Sequence, residues 1–126
     1  MRKAISGRRG VVKPGERRYL PDRGHLVWLT FDSVAGREQS GRRPALVLSP
    51  AIYNGRSGLA VCCPVTSRVK SYPFEVGIDM AGISGVVLAD QVRTLDWRSR
   101  AAEYAGQASA ATLSEVQARL RALLFD

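Results

Sequence analysis

The chain has 126 residues, of which 45% are hydrophobic and 24% charged, and its formal net charge is +8. This length and composition are typical of one globular domain with an ordinary core. No apolar run approaches the roughly 20 residues that a membrane-spanning helix needs, and the N-terminus lacks the apolar stretch of a secretory signal. We therefore expect a cytoplasmic protein with no membrane partner.

The positive charge is concentrated at the N-terminus. Residues 1–18 hold seven basic residues and one acid, a net charge of +6, whereas the rest of the chain carries +2. The same stretch contains Gly and Pro and has no apolar periodicity, a pattern typical of disorder. We predict a basic, disordered extension over residues 1–18 and a folded domain over residues 19–126, and the charge favours an anionic partner.

Short apolar runs separated by Gly and Pro fill the folded domain. A polar loop is expected at residues 32–42 and a turn at residues 49–55. Trp28 is expected in the core, and His25, at the start of a strand, on the surface. Strands are predicted at residues 26–31, 45–48, 59–66, 72–78 and 86–90, and more weakly at 92–97 and 102–107.

The apolar period changes near the C-terminus. Ser109 is a suitable N-cap for a helix that would pack across an open side of the sheet. Many short strands and one helix predict a mainly β (α+β) fold, a small antiparallel barrel that is closed or half-open. The apolar stripe of the helix consists of Leu113, Val116, Leu120, Leu123 and Leu124.

The side chains available for chemistry are few. Cys62 and Cys63 are adjacent, without disulfide or zinc-site spacing, and are expected to be reduced and packed on opposite faces of a strand. There is no Gly-rich phosphate loop, no nucleophile elbow and no Cys–His pair, so we expect no cofactor and no metal. Arg, Thr and carboxylates suit cleavage of RNA by its own 2′-hydroxyl, which requires alignment, proton transfer and charge stabilisation.

Arg43 is the first candidate for charge stabilisation. It precedes Pro44, which fixes its own φ and favours an extended conformation at Arg43. A guanidinium held at the mouth of a strand can bind a phosphate in a bidentate manner. The alternative is an ordinary solvated arginine at a strand start. Thr66, near a strand end, can donate its hydroxyl to a phosphate oxygen, or can instead satisfy local backbone.

Six short fragments, in order between about Tyr19 and Leu124, resemble one family, the MazF/PemK toxins of bacterial toxin–antitoxin modules. The resemblance implies an SH3-like (PemK-like) barrel with a C-terminal helix, usually a symmetric homodimer. It also implies a sequence-specific endoribonuclease that is neutralised by a MazE-like antitoxin, with Arg43 and Thr66 at catalytic positions. The fragments are Gly36–Gln39, Arg43–Pro50, Tyr53–Asn54, Cys63–Ser67, Tyr72–Val76 and Leu88–Val92.

The general base has two candidates, Glu38 in the polar loop and Asp90 near a strand end. In the PemK-like branch an Asp at the second place is catalytic, together with a His and an Arg. In this sequence Arg37 and Leu88 occupy the positions of that His and Arg. The complete acid–base pairing of that branch therefore cannot be assigned to this chain. For both carboxylates an ordinary surface or strand-end role stays open.

Single-stranded RNA would also need cationic and stacking groups around this centre. Tyr72 and Tyr53 can stack on bases, and Tyr53 can equally be a structural turn residue. Two other functions remain: a toxin of the same fold that inhibits a protein such as gyrase without catalysis, and a passive RNA-binding barrel. The predicted RNA contacts are Gln39, Tyr53, Asn54, Arg56, Ser67, Arg68, Lys70, Gln91 and Arg93.

Overall fold

A computed structural model describes residues 19–31 and 41–126. The strands are β1 (His25–Phe31), β2 (Gly41–Val47), β3 (Leu59–Thr66), β4 (Glu75–Met80), β5 (Ile83–Leu88), β6 (Arg93–Asp96) and β7 (Glu103–Gln107). The helices are α1 (Ala51–Ser57), α2 (Ala110–Leu124) and a short 3-10 helix at Ala89–Gln91. No helix in the described part is long and apolar enough to cross a membrane.

All seven strands belong to one antiparallel sheet, with the order β4-β5-β3-β2-β1-β7 and with β6 paired to β3. The sheet curls so that its two end strands meet, with Gly106 of β7 against the turn between β4 and β5. A Cβ at Gly106 would be 3.0 Å from the Cβ of Ala81. Ala81 and Gly82 both have positive φ, as a tight two-residue hairpin requires. The predicted mainly β fold is confirmed as a half-barrel with a C-terminal helix.

The curled sheet buries apolar side chains on both faces. On one face Leu26, Leu46 and Val65 pack under α2, and on the other Val27, Leu29 and Val47 pack with Trp97. Cys62 and Cys63 fall on opposite faces, as the alternation of a strand predicts. Burial raises the pKa of each thiol to about 12, so both are neutral packing residues at ordinary pH.

The predicted turn at residues 49–55 is wrong, because helix α1 occupies Ala51–Ser57. Pro50 stands at its N-terminus, where the missing N–H costs nothing, and Gly58 ends it in the left-handed conformation. Asn54 is fully buried beneath α1. Its side-chain amide donates to the carbonyl oxygens of Pro21 at 2.8 Å and Ser49 at 3.0 Å, so Asn54 ties the helix to the sheet.

Helix α2 forms where the apolar period predicts it. The Ser109 hydroxyl caps it by accepting a hydrogen bond from the Thr112 N–H at 3.0 Å. Val116 is fully buried, and Leu113 and Leu120 pack against the core. The predicted stripe is too long, however. Leu123 and Leu124 are 46% and 59% exposed, so the buried stripe ends at Leu120.

Several strand boundaries differ from those predicted, and three of them bear on the predicted site residues. β2 begins at Gly41, so Arg43 lies within the strand rather than before it. β4 begins at Glu75 rather than at residue 72, because residues 73–74 turn and the Glu75 N–H donates to the Tyr72 carbonyl. β5 ends at Leu88, and Asp90 belongs to the 3-10 helix instead of a strand.

Two aromatic residues also differ from expectation. His25 is half-buried rather than on the surface, and the Tyr19 hydroxyl lies 2.7 Å from its Nδ1. The Asp22 N–H donates to the same nitrogen at 3.1 Å. Trp28 packs against the core but is only half-buried, because one side borders a surface pocket.

Candidate active site

The candidate site lies where β2 and β3 separate. Their last pair is Ala45 with Pro64. Beyond it, Arg43 still pairs with Leu29 of β1, whereas Thr66 pairs with Val86 of β5. A pocket of about 330 Å³ occupies this gap, and it is lined by Trp28, Arg42, Arg43, Pro44, Val65, Thr66, Ser67, Gly82, Ile83 and Ser84. Two of the predicted catalytic residues therefore line one pocket.

Arg43 and Thr66 are brought together by the register of the two strands. Arg43 lies two residues before Ala45 on β2, and Thr66 lies two residues after Pro64 on β3, both on the side of this pair that borders the gap. Side chains two residues apart on a strand point to the same face. Arg43 and Thr66 therefore leave their strands on one face, opposite each other at the mouth of the gap.

The neighbouring arginines, Arg42 and Arg43, have different surroundings. The guanidinium of Arg42 donates to Thr30 Oγ1 at 2.8 Å and to the Arg100 carbonyl at 3.2 Å, and it forms an ion pair with Glu103 at 3.1 Å. Within residues 19–31 and 41–126, the half-buried side chain of Arg43 makes no hydrogen bond or ion pair. Arg42 is thus held by the fold, and Arg43 is available to an anionic ligand.

The Thr66 hydroxyl accepts one hydrogen bond within the fold and can still donate one. Its Oγ1 accepts a hydrogen bond from the Arg68 N–H at 3.1 Å. A hydroxyl has one donor as well as its acceptor lone pairs, so Thr66 can still donate into the pocket. Thr66 and Arg43 together supply a neutral and a cationic donor, which suits an oxygen that gains negative charge.

Of the two predicted carboxylates, only Asp90 lies in the described part of the chain, and it does not line the pocket. Asp90 is exposed on the 3-10 helix, at the opposite end of β5 from the pocket residues Ile83 and Ser84. Gln91, next to it, is exposed as well. Glu38, with Gln39 and Arg37, lies outside the described residues. The prediction that either carboxylate is the general base is therefore untested for Glu38 and is not favoured by the position of Asp90.

The loop between β3 and β4 contributes four exposed polar or aromatic candidates. The carboxylate of Glu75 accepts hydrogen bonds from the N–H groups of Lys70, at 3.0 and 3.1 Å, and of Ser71, at 2.8 Å. Three such bonds fix the loop next to Thr66, where it can form one wall of an RNA groove. Its exposed candidates are Ser67, Arg68, Lys70 and Tyr72.

Two predicted RNA contacts lie away from the pocket, at the opposite ends of β2 and β3. Tyr53 and Arg56 are exposed on α1, which connects the ends of β2 and β3 that are farthest from Arg43 and Thr66. The strand from Arg43 to Val47 alone spans about 13 Å at the usual rise per residue. The RNA contact predicted for Asn54 is not favoured for a different reason, because its side chain is buried and hydrogen-bonded within the fold.

Arg93 has a neighbour that sequence reasoning missed. The guanidinium carbons of Arg93 and Arg100 lie 5.9 and 5.2 Å from the centroid of the Phe31 ring. Phe31 is two residues beyond Leu29, the partner of Arg43, and so lies on the same strand face. Only the pairing of distant strands places these groups together, and no local motif indicates Arg100, Trp28 or Ser84.

Comparison with known proteins identifies the class. Over residues 22–124 the chain matches the family described as "PemK-like, MazF-like toxin of type II toxin-antitoxin system". The chain belongs to this family.

Particular relatives are similar along almost their whole length. The endoribonuclease toxin MazF of Escherichia coli (strain K12) is 44% identical over 107 residues, 85% of this chain and 96% of the relative. The endoribonuclease PemK of Escherichia coli is 36% identical over 108 residues, 82% of this chain and 81% of the relative. A crystal structure of MazE-MazF from Deinococcus radiodurans contains a chain with 63% identity and a TM-score of 0.79, covering 84% of this chain and 96% of that one.

Proposed function

We propose that this protein is an endoribonuclease toxin that cleaves single-stranded RNA, chiefly mRNA, at a specific sequence and without a metal. The observation that carries the proposal is the pocket between β2 and β3, which is lined by both Arg43 and Thr66, two residues whose strand register puts their side chains on one face. Family membership supports the activity, since the relatives MazF and PemK are named endoribonucleases.

The proposed reaction uses the substrate's own nucleophile. The 2′-oxygen attacks the adjacent phosphorus, its proton passes to a base, and the bond from phosphorus to the 5′-oxygen breaks. The leaving 5′-oxygen takes up a proton, so the products are a 2′,3′-cyclic phosphate and a 5′-hydroxyl. The protein aligns the reacting atoms, moves protons and stabilises charge on the pentacoordinate phosphorane.

Arg43 and Thr66 are assigned to charge stabilisation. The guanidinium can bind two phosphate oxygens at once, and the hydroxyl can donate to a non-bridging oxygen. We also propose Arg43 as the group that protonates the leaving oxygen, although a guanidinium gives up its proton with difficulty. Glu38 is the preferred base, since it precedes β2 in the chain and Asp90 lies at the far end of β5.

The proposed partners follow from the same family. We propose that a MazE-like antitoxin neutralises the protein, as the structures of MazE-MazF complexes support, and that the toxin works as a cytoplasmic homodimer. An acidic, disordered antitoxin segment would suit a groove bordered by Arg43, Arg68, Lys70 and Arg93. We further propose that residues 1–18 are a basic extension of the toxin domain, which begins near residue 19.

The proposal is tested by incubating the purified protein with a long mixed-sequence RNA in EDTA and mapping the fragment ends. We expect cleavage at one short sequence, with 5′-hydroxyl and 2′,3′-cyclic phosphate ends. A protein that binds the RNA without cutting it would instead be a passive RNA-binding barrel. Fragments with 5′-phosphates would show that water, rather than the 2′-hydroxyl, is the nucleophile.

A further inference from the structure

Strand β5 lies close to the end of β3 beside the candidate site. A Cβ added to Gly85 would overlap the carbonyl oxygen of Thr66, and it would lie 2.8 Å from the Thr66 carbonyl carbon and 2.9 Å from the Ser67 Cα. Real Cβ atoms essentially never approach other atoms so closely. All three contacts are with backbone, which cannot rotate away as a flexible side chain does.

This close approach is particular to Gly85 and is not shared by the glycine on the neighbouring strand. Gly77 of β4 pairs with Val86, the residue after Gly85, and a Cβ there would meet nothing within 4 Å. Gly85 also has a φ of +156°, which residues with a side chain rarely adopt. A side chain at Gly85 would therefore require the end of β3, the end of β5, or both, to move.

The end of β3 is the segment that carries the Thr66 hydroxyl. Thr66 pairs with Val86 of β5, and its Oγ1 is held by the Arg68 N–H two residues later. On its other side Thr66 faces the gap to Arg43 and has no strand partner in β2. The position of the Thr66 hydroxyl therefore depends on how closely β5 packs against the Thr66 backbone.

We propose that Gly85 is a positioning residue for the cleavage reaction. Without a side chain at this position, β5 packs directly against the Thr66 backbone, and this contact orients the Thr66 hydroxyl towards the reacting phosphate. The inference rests on the proposed catalytic role of Thr66. Gly85 itself touches no substrate, and it acts through the Thr66 backbone.

The test compares cleavage by Gly85→Ala and Gly77→Ala on a short RNA that contains the mapped site. A displacement of about 1 Å can reduce a reaction rate by about 100-fold. We expect Gly85→Ala to lower kcat by roughly 10- to 100-fold while KM changes less than about threefold, because the other RNA contacts remain. Gly77→Ala, the same change in open space, should keep the wild-type kcat. Equal kcat values for Gly85→Ala and the wild type would overturn the inference.

A double-mutant cycle separates positioning from a general loss of structure. In a Thr66→Ala background, Gly85→Ala should lower kcat by no more than about twofold, because the group that it displaces is already gone. An equal loss in both backgrounds would overturn the positioning role and leave the role of Thr66 intact. Wild-type cleavage by Thr66→Ala alone would instead contradict the proposed function of Thr66, and the role of Gly85 would fall with it.

Folding is controlled by far-UV circular dichroism and by urea unfolding of each variant. If Gly85→Ala is partly unfolded, the rates are measured with trimethylamine oxide, which favours the compact state, and are divided by the folded fraction. A normal kcat per folded molecule would overturn the inference. A variant that stays unfolded under these conditions would overturn it as well, since the contact would then serve the fold rather than the site.

Discussion

Arg42 and Arg43, adjacent residues at the start of β2, have different roles: Arg42 is structural, and Arg43 is assigned to the chemistry. Arg42 is bound by Thr30, by the Arg100 carbonyl and by Glu103. Arg43 has no such partner in the described part of the chain and lines the pocket beside Thr66. Alternation along the strand separates the two guanidinium groups, one on each face.

Replacement of Arg43 tests this division at the scale of one residue. Arg43→Ala should reduce cleavage by at least about 100-fold, the scale of losing one preorganised donor to a charged transition state. The free energy of unfolding should change by no more than about 0.5 kcal/mol, because Arg43 makes no hydrogen bond or ion pair with the described residues. Single-turnover cleavage and urea unfolding measure the two effects.

Arg42→Ala is the matched contrast. It removes an exposed ion pair and hydrogen bonds to backbone and hydroxyl groups, so we expect a loss of about 1 kcal/mol in stability. Its cleavage rate should fall less than that of Arg43→Ala. A larger loss of cleavage in Arg42→Ala than in Arg43→Ala would reverse the assignment of the two residues.

At the scale of elements, α1 is held to the sheet by a buried polar cluster. Besides its two bonds to backbone carbonyls, Asn54 Oδ1 accepts from the Ser49 hydroxyl at 2.6 Å, and Trp97 Nε1 donates to the Asn54 carbonyl at 3.0 Å. The Ser49 hydroxyl in turn accepts from the Val61 N–H at 2.8 Å. The cluster therefore joins α1 to β3 and to the end of β6.

Asn54→Ala should destabilise the protein without lowering its cleavage rate per folded molecule. Each buried group left without a partner costs about 1–3 kcal/mol, so we expect a loss of about 3 kcal/mol in the free energy of unfolding. The cleavage rate per folded molecule should stay near that of the wild type, because α1 is remote from Arg43. Ile52→Ala, a change at a residue of the same helix that is 65% exposed, is the control and should cost at most about 0.5 kcal/mol. A cleavage defect in folded Asn54→Ala would restore its predicted role in RNA binding.

The elements show how far sequence reasoning reaches. Alternating apolar residues predicted most strands, and the 3.6-residue period predicted α2 with its Ser109 cap, since both are local signals. Helix α1 was missed because Pro50, Asn54 and Gly55 look like a turn unless the burial of Asn54 is known. The resemblance led to Arg43 and Thr66, which line one pocket, but their opposition across the gap depends on the β2–β3 register. The close approach of Gly85 depends on tertiary packing that no local pattern contains.

At the scale of the whole molecule, the charge is unevenly divided. Residues 1–18 carry +6 of the total +8, although the family match begins only at residue 22.

Removal of residues 1–18 should leave the cleavage sequence unchanged and weaken RNA binding. The slope of log affinity against log salt should become shallower by about 0.7 for each phosphate that the shortened protein no longer neutralises. Replacing the arginines of this segment by glutamine, at constant length, controls for chain length. An unchanged slope would show that the segment does not bind RNA.

The central claim is that the substrate's 2′-hydroxyl is the nucleophile at the Arg43–Thr66 site. It is tested most directly with an RNA oligonucleotide that carries a single 2′-deoxy nucleotide at the mapped cleavage position, assayed in EDTA beside the all-ribose parent. The parent should be cut, and the deoxy substrate should bind with similar affinity and remain intact. Cleavage of the deoxy substrate, or loss of cleavage of the parent in EDTA, would contradict the mechanism.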